Sequence, residues 1–308
     1  MKTGYTLACS AILAAVVLGQ VDAITQARPP ASAQLWGKLP ALREARAAQF
    51  AYLDGVPISG IPDRLNSAHA AVAQALLYLD FQYGFIASRH QRRPTTDADL
   101  VAEVQALRKA PGGIPDAYPD EVIVSGLLAL SEDNEKAYAR SLRGLPELSE
   151  TGYLAHLFAK TQPSGPPRLD YVLSGIVTVA KNASYRIPAE TLAALSFEML
   201  ATRLQKREIV VMAGDAADTW ATLVGTFIDG DTKYVVVHEP RSARQMRPTD
   251  EMIATLRGPE PPVGTQIYPY AQTSYKGAIA LGAPLPDPEA LRRRLDQMAS
   301  ATNGRRGG

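Results

Sequence analysis

The sequence of 308 residues holds a single cysteine, Cys9. Nothing beyond that position can form a disulfide, a thiolate-held zinc site or a thiol nucleophile. The fold must therefore stand on its hydrophobic core. Charge of one sign is missing as well: 32 Lys and Arg face 31 Asp and Glu, for a net of +1. That balance points neither to nucleic acid nor to an anionic membrane. Histidine is scarce, at four residues. None of His69, His90, His156 and His238 has a partner at zinc-ligand spacing, and no metal or cofactor is expected. The Gly-x-Ser-x-Gly elbow, the P-loop, the dinucleotide fingerprint and His-Glu-x-x-His are all absent. Asp215, Asp218, Asp229 and Asp231 gather near strand ends but lack the EF-hand spacing, so they read as turn residues.

What the N-terminus has is an export pattern. Met1-Lys2 gives a short positive start, Tyr5 to Leu18 an apolar run, and Val21-Asp22-Ala23 a small-residue cleavage site. Residues 1–23 are therefore expected to be a cleavable signal peptide, placing the mature chain in the periplasm or outside the cell. The run falls short of the ~20 apolar residues that span a bilayer. Cys9 precedes most of it, which argues against a lipoprotein. After cleavage the chain has no thiol, and no later segment has the unbroken apolar length of a membrane helix.

The roughly 285 residues that remain fit one large domain or two small ones. A flexible lead-in is expected over 24–35 and a helix over 41–52. A strong helix follows over about 67–82, with Ser67 as its N-cap and Val72, Leu76 and Leu79 at helical spacing. Further helices are expected over 98–109, across much of 120–160, over 188–206 with Pro188 in the first turn, and over 249–257. Thr161 to Pro167 reads as a surface loop. Then the period changes to that of strands: Glu208 to Ala213, Trp220 to Ile228, and Lys233 to His238 after an Asp229-Gly230 turn, with Gln266 to Tyr270 as a last strand. A final helix over 287–299 leads to a disordered tail, Asn303 to Gly308. Helices first and sheet later argue an α+β fold, with an N-terminal helical part packed on a small antiparallel sheet.

One set of pieces is informative in its order. It runs Val56-Pro57-Ile58, then Ser67-Ala68-His69-Ala70-Ala71 opening the helix, then Glu208-Ile209-Val210-Val211. Thr219-Trp220-Ala221-Thr222-Leu223-Val224-Gly225 follows, then the hairpin turn, then Tyr234 to Val237 with His238-Glu239-Pro240. This resembles the papain-like fold of bacterial C39-like cysteine peptidases over roughly 55–90 and 190–255. In that family a Cys-Trp-Ala-Ala stretch opens the catalytic helix, a histidine precedes a Val-rich strand, and an Asp-Pro closes the hairpin. The resemblance implies a domain over 55–285 with a helical insert at about 95–185, preceded by 24–54 and followed by 286–308.

The resemblance also implies that the chemistry has changed. Ala68 stands at the cysteine position and Thr219 at the histidine position, while Glu239 keeps a carboxylate at the third. Pro62 or Asp63 stands where the oxyanion glutamine belongs. His69, Trp220 and His238 are expected to line the groove. Ser67 is the one neighbouring hydroxyl, although helix neighbours at i and i+1 or i+2 do not share a face. The implied function is an exported, catalytically inactive papain-like module that binds a protein or peptide. Two other readings stand beside it: an active secreted peptidase or amidase with a rearranged site using Ser67, and a secreted structural or interaction protein unrelated to peptidases.

Overall fold

A computed structural model describes residues 30–61, 65–86, 97–110, 112–144, 147–163, 165–214, 219–243, 245–247, 249–256 and 260–305. The expected signal segment, 1–23, lies outside the described residues. The described chain is mixed helix and antiparallel sheet, an α+β fold. Its helices are α1 (Pro30–Ala45), α2 (Ser67–Tyr83), α3 (Asp97–Lys109), α4 (Asp120–Ser141), α5 (Glu150–Ala159), α6 (Leu169–Asn182), α7 (Phe197–Gln205) and α8 (Pro288–Arg305). The strands are β1 (Ala51–Tyr52), β2 (Pro57–Ser59), β3 (Tyr185–Arg186), β4 (Ala189–Leu192), β5 (Ile209–Ala213) and β6 (Ala221–Asp229). They continue with β7 (Thr232–His238), β8 (Glu251–Ile253), β9 (Thr265–Pro269), β10 (Gly277–Leu281) and β11 (Leu285–Pro286).

The main sheet has the order β4-β10-β5-β6-β7-β9, with β1 pairing on β6. Its centre follows from sequence. The strand β5 is an unbroken apolar run, Ile-Val-Val-Met-Ala, buried at every position, as a strand covered on both faces must be. A two-residue turn, Gly230-Asp231, joins β6 to β7, since Asp229 pairs with Thr232. Gly230 takes φ +61°, which such a turn requires and glycine adopts without strain. The register slips between Leu223 and Gly225, where the Val224 carbonyl instead accepts the Leu53 N–H at 2.8 Å. Gly225 has no alternative there: a Cβ would stand 2.7 Å from the Tyr52 ring as β1 crosses.

The helix at the centre of the core is α2. Only His69, Gln82 and Tyr83 escape full burial along it, as expected of a helix apolar all round. It packs against β5 and β6 and against α5. Val72, Leu76, Leu77 and Leu79 are fully buried, each contributing about 1.5–3 kcal/mol relative to exposure. Its C-terminus closes on Gly84 at φ 65°, whose N–H bonds the Asp80 carbonyl, while the Asp80 carboxylate takes the Ile86 N–H at 2.6 Å.

Several sequence expectations are corrected. The helix expected over 188–206 is instead β4 followed by α7, because residues 189–192 pair with β10, a strand the sequence reading did not place. The helix expected over 249–257 is β8, drawn into pairing with β2. Residues 30–35, expected to be flexible, form the start of α1, which sends Trp36 and Leu39 into the main core. Residues 303–305, expected to be disordered, end α8. Residues of the 95–185 stretch pack into two cores. Val104 and Leu107 of α3 and Ile123 and Leu127 of α4 pack with Leu291 and Leu295 of α8. Leu154 and Phe158 of α5 and Val172 and Ile176 of α6 join the main core.

Candidate functional site

The site is built around the first turn of α2. Asn66, extended at φ −113° and ψ 175°, is the N-cap. Its side-chain oxygen accepts the His69 N–H at 3.1 Å, and His69 Nδ1 accepts the Asn66 N–H at 3.2 Å. This is a capping box with histidine in the place usually held by Glu or Gln. Ser67, expected as the cap, is instead the first helical residue. Its hydroxyl accepts the backbone N–H of Trp220 at 3.1 Å, deep in the core. That contact lies between distant parts of the chain and cannot be read from local sequence.

Because Nδ1 is an acceptor, the neutral His69 ring carries its proton on Nε2. Burial holds the His69 pKa below the usual value, and nearby His156 pushes it further down. His69 also packs edge-on against Phe158, with ring centres 5.8 Å apart. Ala68 and His69 line a cavity of about 350 Å³ with Asn66, Phe158, Gln162 and Tyr171.

Thr219 and Glu239 lie at one end of the β6–β7 hairpin, just before β6 and just after β7. They share the wall of a second cavity, about 260 Å³, with Trp220, Arg241, Tyr268 and Tyr275. The Ser67–Trp220 hydrogen bond joins the segments that wall the two cavities. Glu239 is held tightly. Its backbone N–H donates to the Gly264 carbonyl at 2.8 Å. Tyr268 and Tyr275 donate to Oε1 at 3.0 and 3.1 Å, and Ser242 donates to Oε2 at 2.9 Å. Burial, reinforced by the neighbouring Glu239 charge, raises the pKa of both tyrosines, so they stay protonated donors.

His238, expected on the groove, is fully buried. It is the last residue of β7, and Glu239 lies just beyond the strand. It pairs with Thr222 on one side and Thr265 on the other. Thr222 bonds into α2 through the Ala71 carbonyl and Gln74, both at 3.0 Å. Neither ring nitrogen of His238 has a hydrogen-bond partner among the described residues. Burial alone pushes its pKa down to about 3. It is a neutral core residue.

Among the described residues the arrangement brings the α2 start and the hairpin end together through Ser67 and Trp220. Ala68 offers a methyl group. Thr219 has no basic atom at neutral pH. The Ser67 oxygen is engaged by a buried amide, and the His69 Nδ1 lone pair by Asn66. Pro62 and Asp63, at the expected oxyanion position, lie outside the described residues, as do Asp215 and Asp218. Among the described residues no group of three or more His, Cys, Asp or Glu converges as a metal site, and no helix is long and apolar enough to cross a membrane. Asn66, Ser242, Tyr268 and Tyr275 were not among the residues expected at the site. Asn66 was legible from its type and from the acceptor three residues on. The hydroxyls around Glu239 come from a short 3-10 helix, a strand and a loop, and carry no local signal. Neither a protein-family model nor a curated protein matches the chain.

Proposed function

We propose that this is an exported papain-like protein that has lost peptidase chemistry and acts by binding a protein or peptide. The observation that carries the reading is the Ser67–Trp220 hydrogen bond, which fixes the N-terminus of a buried helix against the start of β6. In a papain-like site the helix N-terminus favours a thiolate, and later an oxyanion, through its dipole and free N–H groups. A histidine and a carboxylate on the adjoining hairpin complete it. Here the corresponding positions hold Ala68, Thr219 and Glu239. The helix and the carboxylate remain, and the two groups that move protons and form the covalent bond are gone. Two cavities are left that can accept side chains of a partner.

Ser67 is a poor substitute nucleophile, since its side chain is buried and bonded to a backbone amide. A fluorescent casein or dipeptide-amide assay tests the point, with no turnover above buffer expected. Turnover abolished by Ser67→Ala without loss of fold would establish a rearranged hydrolase instead. Export rests on residues 1–23. N-terminal sequencing of protein recovered from the periplasm or medium should begin just after Ala23, and an intact Met1 there would contradict it.

A further inference from the structure

We propose that the cavity beside Glu239 binds a single cationic side chain, lysine or arginine, of the peptide or protein partner. The inference rests on the binding reading above and names the chemistry of its ligand. Its basis is an incomplete set of partners around one carboxylate. A carboxylate has about four lone-pair sites. Tyr268 and Tyr275 occupy two on Oε1, and Ser242 occupies one on Oε2. No ion pair to Glu239 occurs among the described residues. Three hydroxyl donors hold it in place, and none of them carries a charge of opposite sign. One acceptor position on Oε2 is left beside a cavity of about 260 Å³.

The cavity's size and lining fit that ligand. Sites for whole small molecules run to ~300–1,000 Å³, so this one suits a single side chain. Trp220, Tyr268 and Tyr275 line it, and aromatic walls favour the apolar stem and the charge of a cation together. Where the resemblance would put an imidazole, Thr219 is shorter and leaves room beside the carboxylate. Arg241 lines the same cavity and opposes a cation, but it is exposed while Glu239 is half-buried. Solvent and salt screen the exposed charge more than the half-buried one.

The test uses blocked tripeptides, acetyl-Gly-Lys-Gly-amide and acetyl-Gly-Arg-Gly-amide, against acetyl-Gly-Gln-Gly-amide. Binding is followed by the indole N–H signal of Trp220 in two-dimensional NMR; Trp36, in the core, is the internal control. The cationic peptides are expected to shift the Trp220 signal saturably and the Gln peptide to bind at least about tenfold more weakly. Glu239→Gln keeps the shape and removes the charge, and should abolish the preference. Thr219→His, which sets an imidazole on the same wall and fills the space beside the carboxylate, should weaken the cationic peptides while leaving the fold intact by circular dichroism. Equal binding of all three peptides, no saturable shift, or a preference that survives Glu239→Gln in a folded variant would overturn the proposal. Cleavage of a bound peptide would overturn the loss of peptidase chemistry instead, while selectivity would still be read from the initial shifts.

Discussion

The hydroxyl of Ser67 and the backbone amide of Trp220, 153 positions apart, are joined by a 3.1 Å hydrogen bond at the point where α2 begins and β6 is about to begin. Both residues are buried, at 1% and 3% exposure. The bond ties the first turn of the central helix to the segment that leads into β6.

Removing that acceptor leaves a buried N–H without a partner, which costs about 1–3 kcal/mol. Ser67→Ala should therefore lower the stability by that amount in urea unfolding, with the slope of the transition unchanged. An unchanged midpoint would show that the bond does not matter to the fold.

His69 predicts a dependence on pH. Its folded pKa lies below the unfolded value, through burial first and His156 second. The unfolded chain then binds the proton more readily than the folded one. The contribution to stability is fully present above about pH 6.5 and is lost as pH falls through and below it. Protonation also removes the Nδ1 acceptor of the capping box and puts a positive charge at a helix N-terminus, where the dipole opposes it. His69→Gln keeps an acceptor that does not titrate. Its stability should fall less than the wild type's between pH 7 and pH 5; parallel curves would contradict this.

His238 acts in the same direction by a different route. It is fully buried with both ring nitrogens unpartnered, and burial lowers its pKa to about 3. Between about pH 6.5 and pH 5 the unfolded chain gains a proton there and the folded chain does not. His238→Leu removes this linkage. Relative to the variant, the wild type should lose about 1.4 kcal/mol per pH unit below pH 6.5. A constant difference between pH 7 and pH 5 would show that the folded protein protonates His238.

Much of this was legible because the signals were local. The apolar run Ile209–Ala213, the Asp229-Gly230 turn and the Val-rich stretch 235–237 mark the centre of the sheet without any tertiary knowledge. The helix beginning at Ser67 was equally plain. What failed was decided by pairing at a distance. Ala189, Glu190 and Leu192 suit a helix, yet they form β4 because β10 lies beside them. Glu251–Ile253 is a strand because β2 is there to pair with it, and the Glu251 carboxylate takes the Thr151 N–H and hydroxyl at 2.9 and 2.7 Å. Asn66 and Ser67 are both good caps by type. The choice between them was made by Trp220, which engages the serine. At the site, Thr219 and Glu239 were singled out by the resemblance, whereas the tyrosines that hold Glu239 had no signal of their own.

The measurement that bears most directly on the account is the pH dependence of thiol alkylation in Ala68→Cys, with and without Thr219→His, in a Cys9→Ser background so that the introduced thiol is alone. An ordinary thiol titrates near ~8.5, and a neighbouring histidine at a helix N-terminus lowers this well below 8. If positions 68 and 219 face each other as in a papain-like site, the double replacement should move the alkylation midpoint down by at least about one pH unit relative to Ala68→Cys alone. Identical midpoints in two folded variants would show that the two positions do not meet, and the papain-like reading would fall with them.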